Sequence, residues 1–258
     1  MFTWKMVTYT TRMATVFAGL FICVNTAVSE DSIRSRLVSC DAPCDGLCAE
    51  QGCGGNCCTA GGMLVQADLL FLKAHESEGN AENSRYDAAY RLSASWQGNS
   101  GTGVRVRWFE YDTDTTDEDY NVFGIDAEIT GCYQLKNKWS GLLALGVRHS
   151  KFEEVGDNDV RAWGPSIAAD LRRPFCGKMD LFGSARYAAM FGADKEDDFH
   201  TTNAYTELQV GLECKRCIGS SVVFARAAVE GQRWIGGAND DTQDLGLFGG
   251  TFSIGTTY

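Results

Sequence analysis

Ten stretches of this 258-residue chain alternate apolar and polar side chains with a period of two, and most of them run for 11–14 residues. A period of two places successive side chains on opposite faces of an extended strand. The stretches are 62–73, 89–97, 102–112, 121–133, 139–150, 161–172, 179–191, 203–213, 220–234 and 245–258. One face carries the ions. Arg105 and Arg107, then Asp126 and Glu128, then Arg148 lie on polar faces of the third, fourth and fifth stretches. Asp170, Arg172 and Arg186 follow in the next two, and Glu207, Glu213, Arg226 and Glu230 in the eighth and ninth. The opposite faces are apolar, as with Leu143, Leu145 and Val147, or Leu208, Val210 and Leu212.

Soluble strands cluster near 5–6 residues, whereas a tilted membrane strand needs about 9–11. Ten long strands with uninterrupted apolar faces need an environment for those faces. Closing the sheet around a polar interior, with lipid outside, supplies it. The expected fold is all-β: a transmembrane antiparallel up-and-down β-barrel of about ten strands, with a range of 8–12. The connections agree. Longer segments at 74–88, 113–120, 151–160, 192–202 and 235–244 alternate with short ones at 98–101, 134–138, 173–178 and 214–219. The longer set is acidic, as in Asp117, Glu118 and Asp119, and outer-membrane barrels have short periplasmic turns and longer external loops.

The N-terminus reads as an export signal. Lys5 and Arg12 precede the apolar run Met13–Val24, and Ala27-Val28-Ser29 offers a small-x-small cleavage site. The expected organisation is a signal peptide over 1–29, a Cys-rich periplasmic leader over 30–61 and an outer-membrane barrel over 62–258. Loss of the two signal cations leaves 21 bases against 34 acids, from 23 and 34 in the whole chain. That balance excludes nucleic acid as a partner, which needs a surplus of Lys and Arg. In an oxidising compartment the ten remaining cysteines favour disulfides. They are Cys40, Cys44, Cys48, Cys53, Cys57 and Cys58 in the leader, and Cys132, Cys176, Cys214 and Cys217 beside the short turns. The leader spacings lack the paired CxxC arrangement of a zinc site, so no metal is expected there.

GPSIAADLRRPF, LFGSARYAAMFG, AYTELQVGLECK, FARAAVEGQRW and the terminal LFGGTFSIGTTY resemble the Legionella-type major outer membrane protein family, most strongly its planctomycete relatives. The resemblance covers roughly 62–258. It implies a pore-forming barrel, and a C-terminal signal of Phe252, Ile254 and Tyr258 read by the barrel-assembly machinery.

No nucleophile elbow, HExxH or phosphate loop is present, and no cofactor, metal or catalytic residue is expected. His75, His149 and His200 lie near the long-loop ends, where an outer-membrane hydrolase would keep its site. His149 and Ser150, being adjacent, would face opposite ways. Three functions remain open. A narrow porin for small hydrophilic solutes or ions would use the charged face as its lining. A structural protein would be disulfide-linked through the leader to envelope proteins or to itself. A hydrolase is the third. The partners expected are outer-membrane lipid and the assembly machinery.

Overall fold

Alternating β-branched, aromatic and small residues suit a pleated surface, and here every alternating stretch is a strand. The computed structural model describes residues 61–76, 86–112, 120–136, 138–154, 159–176, 178–194, 200–218, 220–235 and 244–258. The expected signal peptide, the leader cysteines and the acidic cluster at Asp117, Glu118 and Asp119 lie outside the described residues. The strands are β1 (Gly62–Glu76), β2 (Tyr86–Gln97), β3 (Thr102–Asp112), β4 (Tyr120–Gln134) and β5 (Ser140–Glu154), then β6 (Asp159–Cys176), β7 (Met179–Asp194), β8 (His200–Ile218), β9 (Ser221–Ile235) and β10 (Leu245–Thr257). Each pairs antiparallel with its sequence neighbours, and β1 pairs with β10, so the sheet is a closed barrel. Closure leaves no unpaired edge. At the seam, Met63 and Tyr258 exchange backbone hydrogen bonds of 3.2 and 2.9 Å. Both ends of the barrel sequence therefore lie beside the turns 98–101, 135–139, 177–178 and 219–220.

The strands are longer than the sequence patterning suggests, reaching 18 residues in β6 and 19 in β8. Pairing continues through Glu153↔Asp159, Val160↔Asp194 and Ala193↔His200. As a result the connections 155–158 and 195–199 are short, and the expected long–short alternation is clear only at 77–85, 113–119 and 236–244. Hydropathy loses its period where both faces meet water, but backbone pairing needs no apolar side chain to continue. At the other end, the stretches 173–176 and 214–218, expected as turns, are strand. Pro174 sits there at a register shift, consistent with its missing N–H. The 98–101 turn closes with Gly101 N–H donating to Gly98 at 3.0 Å, and Gly101 takes a φ of 80° that favours glycine.

Strand parity sorts the side chains into two environments. Outside, Leu92, Val104, Val106, Ile129, Leu145, Val147 and Leu208 are all exposed. Tyr86, Trp163, Phe191 and Phe248 lie toward the long-loop end of this surface, and Trp96, Phe175 and Tyr258 toward the turn end. Tyr86 and Trp96 are ten positions apart along β2, and Phe248 on β10 is ten positions before Tyr258, the residue that follows β10. At ~3.4 Å per residue and a tilt near 40°, that spacing spans about 26 Å. Outward-facing ions stand beyond these aromatics or at their level, with Lys73, Glu110, Lys151, Arg161 and Arg233 on the loop side and Arg173 and Arg216 on the turn side. The outer wall is an apolar band with two charged rims.

Candidate functional site

All twelve residues expected to line the lumen point inward. Asp126, Glu128, Arg107, Arg148, Arg186, Glu207, Glu213, Arg226 and Glu230 are buried, while Arg105, Asp170 and Arg172 are half-buried. Inward-facing ions of opposite sign on a narrow ring will bond one another, because little water competes for them. They do so both along neighbouring strands and across the barrel.

Along neighbouring strands, Arg105 Nε donates to Glu128 Oε2 at 2.5 Å, and Arg148 Nη1 donates to both Asp126 oxygens at 3.2 and 3.0 Å. Arg226 bonds Glu213, with Arg172 3.9 Å from the same carboxylate. The bonds across the lumen are more informative. Arg107 on β3 bonds Glu207 on β8, five strands away around a ring of ten and therefore diametrically opposite. Arg105 Nη1 reaches Asp170 on β6 at 2.6 Å, and Arg186 on β7 bonds Glu128 on β4. Ser184 Oγ donates to the second Asp170 oxygen at 2.7 Å.

Two residues at the centre were not among the expected lining. Arg91 on β2 donates Nε to Asp68 Oδ2 at 2.5 Å and grips Glu230 with Nη1 and Nη2 at 2.8 and 2.7 Å. Glu230 also accepts from Gln209, Gln232 and Thr251 at 3.1, 2.7 and 2.7 Å. Arg91 shares parity with Ser93 and Ser95, and Asp68 is the lone acid of its stretch, so parity alone could have found both. Near the turns, Lys215 bonds Asp180 and stands 3.0 Å from Glu213. Both additions are couples of opposite sign, so they preserve the balance of charge in the lumen.

The polar interior expected from the sequence needs correction toward the long-loop end. There the inward positions become apolar: Leu70, Leu72, Phe109, Tyr111, Val122, Met190, Tyr205, Trp234, Leu245 and Leu247 form one buried cluster. Register makes it a collar around the barrel, through Leu70↔Ala89, Ala89↔Tyr111, Tyr111↔Val122, Tyr205↔Trp234 and Trp234↔Leu245. Phe109 and Trp234 stack with centroids 6.4 Å apart although they stand on β3 and β9. Tyr205 and Trp234 meet at 4.4 Å. The Arg148 guanidinium joins the two layers, lying 3.8 Å from the Tyr205 ring centroid and 4.9 Å from that of Trp234. Its Nε and Nη2 make no hydrogen bond among the described residues, and the ring faces take their place.

Gly124 makes room for this arrangement. A Cβ there would stand 2.5 Å from Arg148 Nη2. Gly124→Val is therefore expected to push the guanidinium off the rings and lower stability by about 1–3 kcal/mol, measured by urea unfolding of the refolded barrel. Gly131→Val, at a position where a Cβ would meet nothing within 4 Å, is the control and should change stability far less.

The two histidines whose side chains are described, His75 and His149, stand on separate strands. His149 faces outward against Phe123, at a centroid distance of 6.4 Å, while Ser150 is buried and donates to Met190 Sδ at 3.2 Å. His75 is exposed at the end of β1, and the His200 side chain lies outside the described set. Among the described residues, no group of three or more His, Cys, Asp or Glu could hold a metal. Cys176 and Cys217 are disulfide-bonded. Cys132 and Cys214, each expected as a disulfide candidate with no partner assigned, carry thiols in this structure. They stand on β4 and β8 with opposite parity, Cys132 inward with Gln97 Nε2 at 2.6 Å and Cys214 outward. Phe252, Ile254 and Tyr258 share the outward face of β10, with Ile254 and Tyr258 exposed.

The molecule is thus a ten-stranded up-and-down β-barrel with an apolar exterior and a side-chain-filled lumen. No family model and no curated protein matches the chain. Among solved structures, it is similar in outline to Neisserial surface protein A, with 14% identity over 76% of this chain and 95% of that one, and a TM-score of 0.37. The β domain of the Bordetella autotransporter BrkA shares 14% identity, covering 77% and 99% at a TM-score of 0.44. The Escherichia coli outer membrane protease OmpT shares 9%, covering 76% and 96%, also at 0.44. At these values the similarities bear on neither activity nor site.

Proposed function

We propose that the chain spans an outer membrane as a sealed barrel, and that it is a structural component of the envelope rather than an open diffusion pore. The apolar band of about 26 Å between aromatic rims supports the span, because such barrels carry a band near 25 Å flanked by aromatic girdles. With the turns on the periplasmic side, Gly61 carries the Cys-rich segment into that compartment. The barrel would then hold the segment beside wall or neighbouring envelope proteins, with disulfides as the means of linkage.

The observation that carries the sealed reading is the bond between diametrically opposite strands, Arg107 to Glu207, together with the collar next to it. A conducting lumen needs a continuous water path, and barrels of about eight strands are already filled by their own side chains. A porin reading, in keeping with the resemblance to the Legionella-type family, requires those bonds and the collar to open. Purified mature protein inserted in planar bilayers is expected to give no single-channel steps in potassium chloride from low to molar concentration. Regular steps of uniform size would overturn the sealed reading and establish the porin.

A further inference from the structure

On the outer wall near the long-loop end, β8, β9, β10 and β1 enclose a groove of about 460 Å3. That volume falls within the ~300–1,000 Å3 of small-molecule sites. Two rows of register-matched residues build it. The lower runs Leu208↔Gly231↔Phe248↔Lys73, and the upper Thr206↔Arg233↔Gly246↔His75. Glycine at 231 and 246 removes the side chains that would fill the wall, so the floor is backbone between Leu208 and Phe248. A Cβ on Gly231 would only touch Phe248 Cδ2 at 3.7 Å, so the space there is open.

The groove's rim is cationic. Arg233 donates Nε and Nη2 to Asp244 Oδ2 at 3.2 and 2.5 Å, and its side chain stays 63% exposed. Nη1 takes no part in that pair. Lys73 flanks Phe248 on the other side, and His75 is exposed next to Gly246. Among the described lining residues Arg233 is the one full cation and Asp244 the one carboxylate, and Lys73, paired with the lining residue Phe248, adds the second positive charge at the groove's edge. The groove therefore presents an apolar trough that opens onto positive charge at the height where lipid headgroups would lie.

We propose that this groove seats one anionic phosphate lipid of the loop-side leaflet, its acyl chain over Gly231 between Leu208 and Phe248 and its phosphate against Arg233 and Lys73. The inference rests on the membrane-spanning reading above. It goes beyond that reading by naming a specific lipid site on the wall.

Native mass spectrometry of the whole protein, released from vesicles of equal phosphatidylglycerol and phosphatidylcholine with matched chains, tests it. The wild type should retain one phosphatidylglycerol in preference to phosphatidylcholine by roughly 10- to 30-fold, since each surface cation is worth about 1 kcal/mol to an anionic lipid. R233Q/K73Q should abolish that preference, and Gly231→Phe should lower retention of both lipids. K151Q/R161Q, on β5 and β6, should leave the preference unchanged. Equal retention of the two lipids by the wild type would overturn the proposal, as would an equal loss in K151Q/R161Q or unchanged retention in Gly231→Phe. Vesicle flotation separates the two readings. A protein that fails to float with lipid refutes the membrane span, whereas one that floats without lipid preference refutes the groove alone. Heat-dependent electrophoretic mobility reports folding of each variant.

Discussion

Arg91→Leu is expected to lower the unfolding free energy by about 3–5 kcal/mol, the cost of breaking a buried ion pair from one side. The guanidinium holds Glu230 by two bonds and Asp68 by a third, and Glu207 lies 3.3 Å from Nη1. Its loss leaves Asp68 and Glu230 without a cation among the described residues, in a lumen that water scarcely reaches, while Glu207 keeps Arg107. Glu230 keeps Gln209, Gln232 and Thr251, which are neutral donors and cannot offset its charge. Adding Glu230→Gln should recover part of the loss, because the double change removes one of the stranded charges. Urea unfolding of refolded protein, followed by tryptophan fluorescence, measures both. A loss below about 1 kcal/mol would show that the lumen is wetter than the packing indicates, as an exposed pair contributes only 0–1 kcal/mol.

Leu145→Arg carries the second large effect, and its size depends on the solvent outside the barrel. Leu145 is 63% exposed on the outer face of β5, paired with Ile129 and Ile167 and distant from both charged rims. In a bilayer, arginine near the midplane of a barrel wall costs about 2–4 kcal/mol, falling to 0–1 near the interfaces. On a wall bathed in water, the same change at an exposed site would stay within about 0.5 kcal/mol. Ile235→Arg, beyond the loop-side rim residue Arg233, provides the comparison and should cost little in either solvent. Reversible unfolding from vesicles gives the depth dependence. Equal small effects at Leu145 and Ile235 would remove the basis for a membrane span.

Parity alone makes most of the architecture legible. Leu208, Val210 and Leu212 face out, and Glu207, Gln209 and Glu213 face in, as the alternation of that stretch requires. The same reading covers Arg105 and Arg107 on β3 and Arg148 on β5, because a one-residue slip would turn every side chain to the wrong face. It reaches less far at the strand ends. The tops of β6 and β8 have no hydropathy contrast to mark them, and only their pairing shows that they continue. The collar was hidden for a related reason. Phe109 and Tyr111 have the same parity as Arg107, but an apolar residue on a polar face carries no label until its neighbours across the lumen are known.

The groove on the outer wall was likewise invisible. Gly231, Gly246, Arg233 and Lys73 lie far apart in the chain, and three strand pairings are needed to place them together.

The alternation along the chain is enough to require a closed sheet of about ten strands with charge on one face and apolar residues on the other. A period of two is a local property, set by the pleat and independent of what each face meets. Which arginine meets which carboxylate, and whether the lumen is filled, follow from the closed ring and not from the alternation. Those outcomes depend on strand number and stagger, which bring β3 opposite β8 and lay Arg148 over Tyr205 and Trp234. Closing the ring turns ten charged faces into partners across a narrow space, and that closure is what converts an expected pore lining into a packed interior.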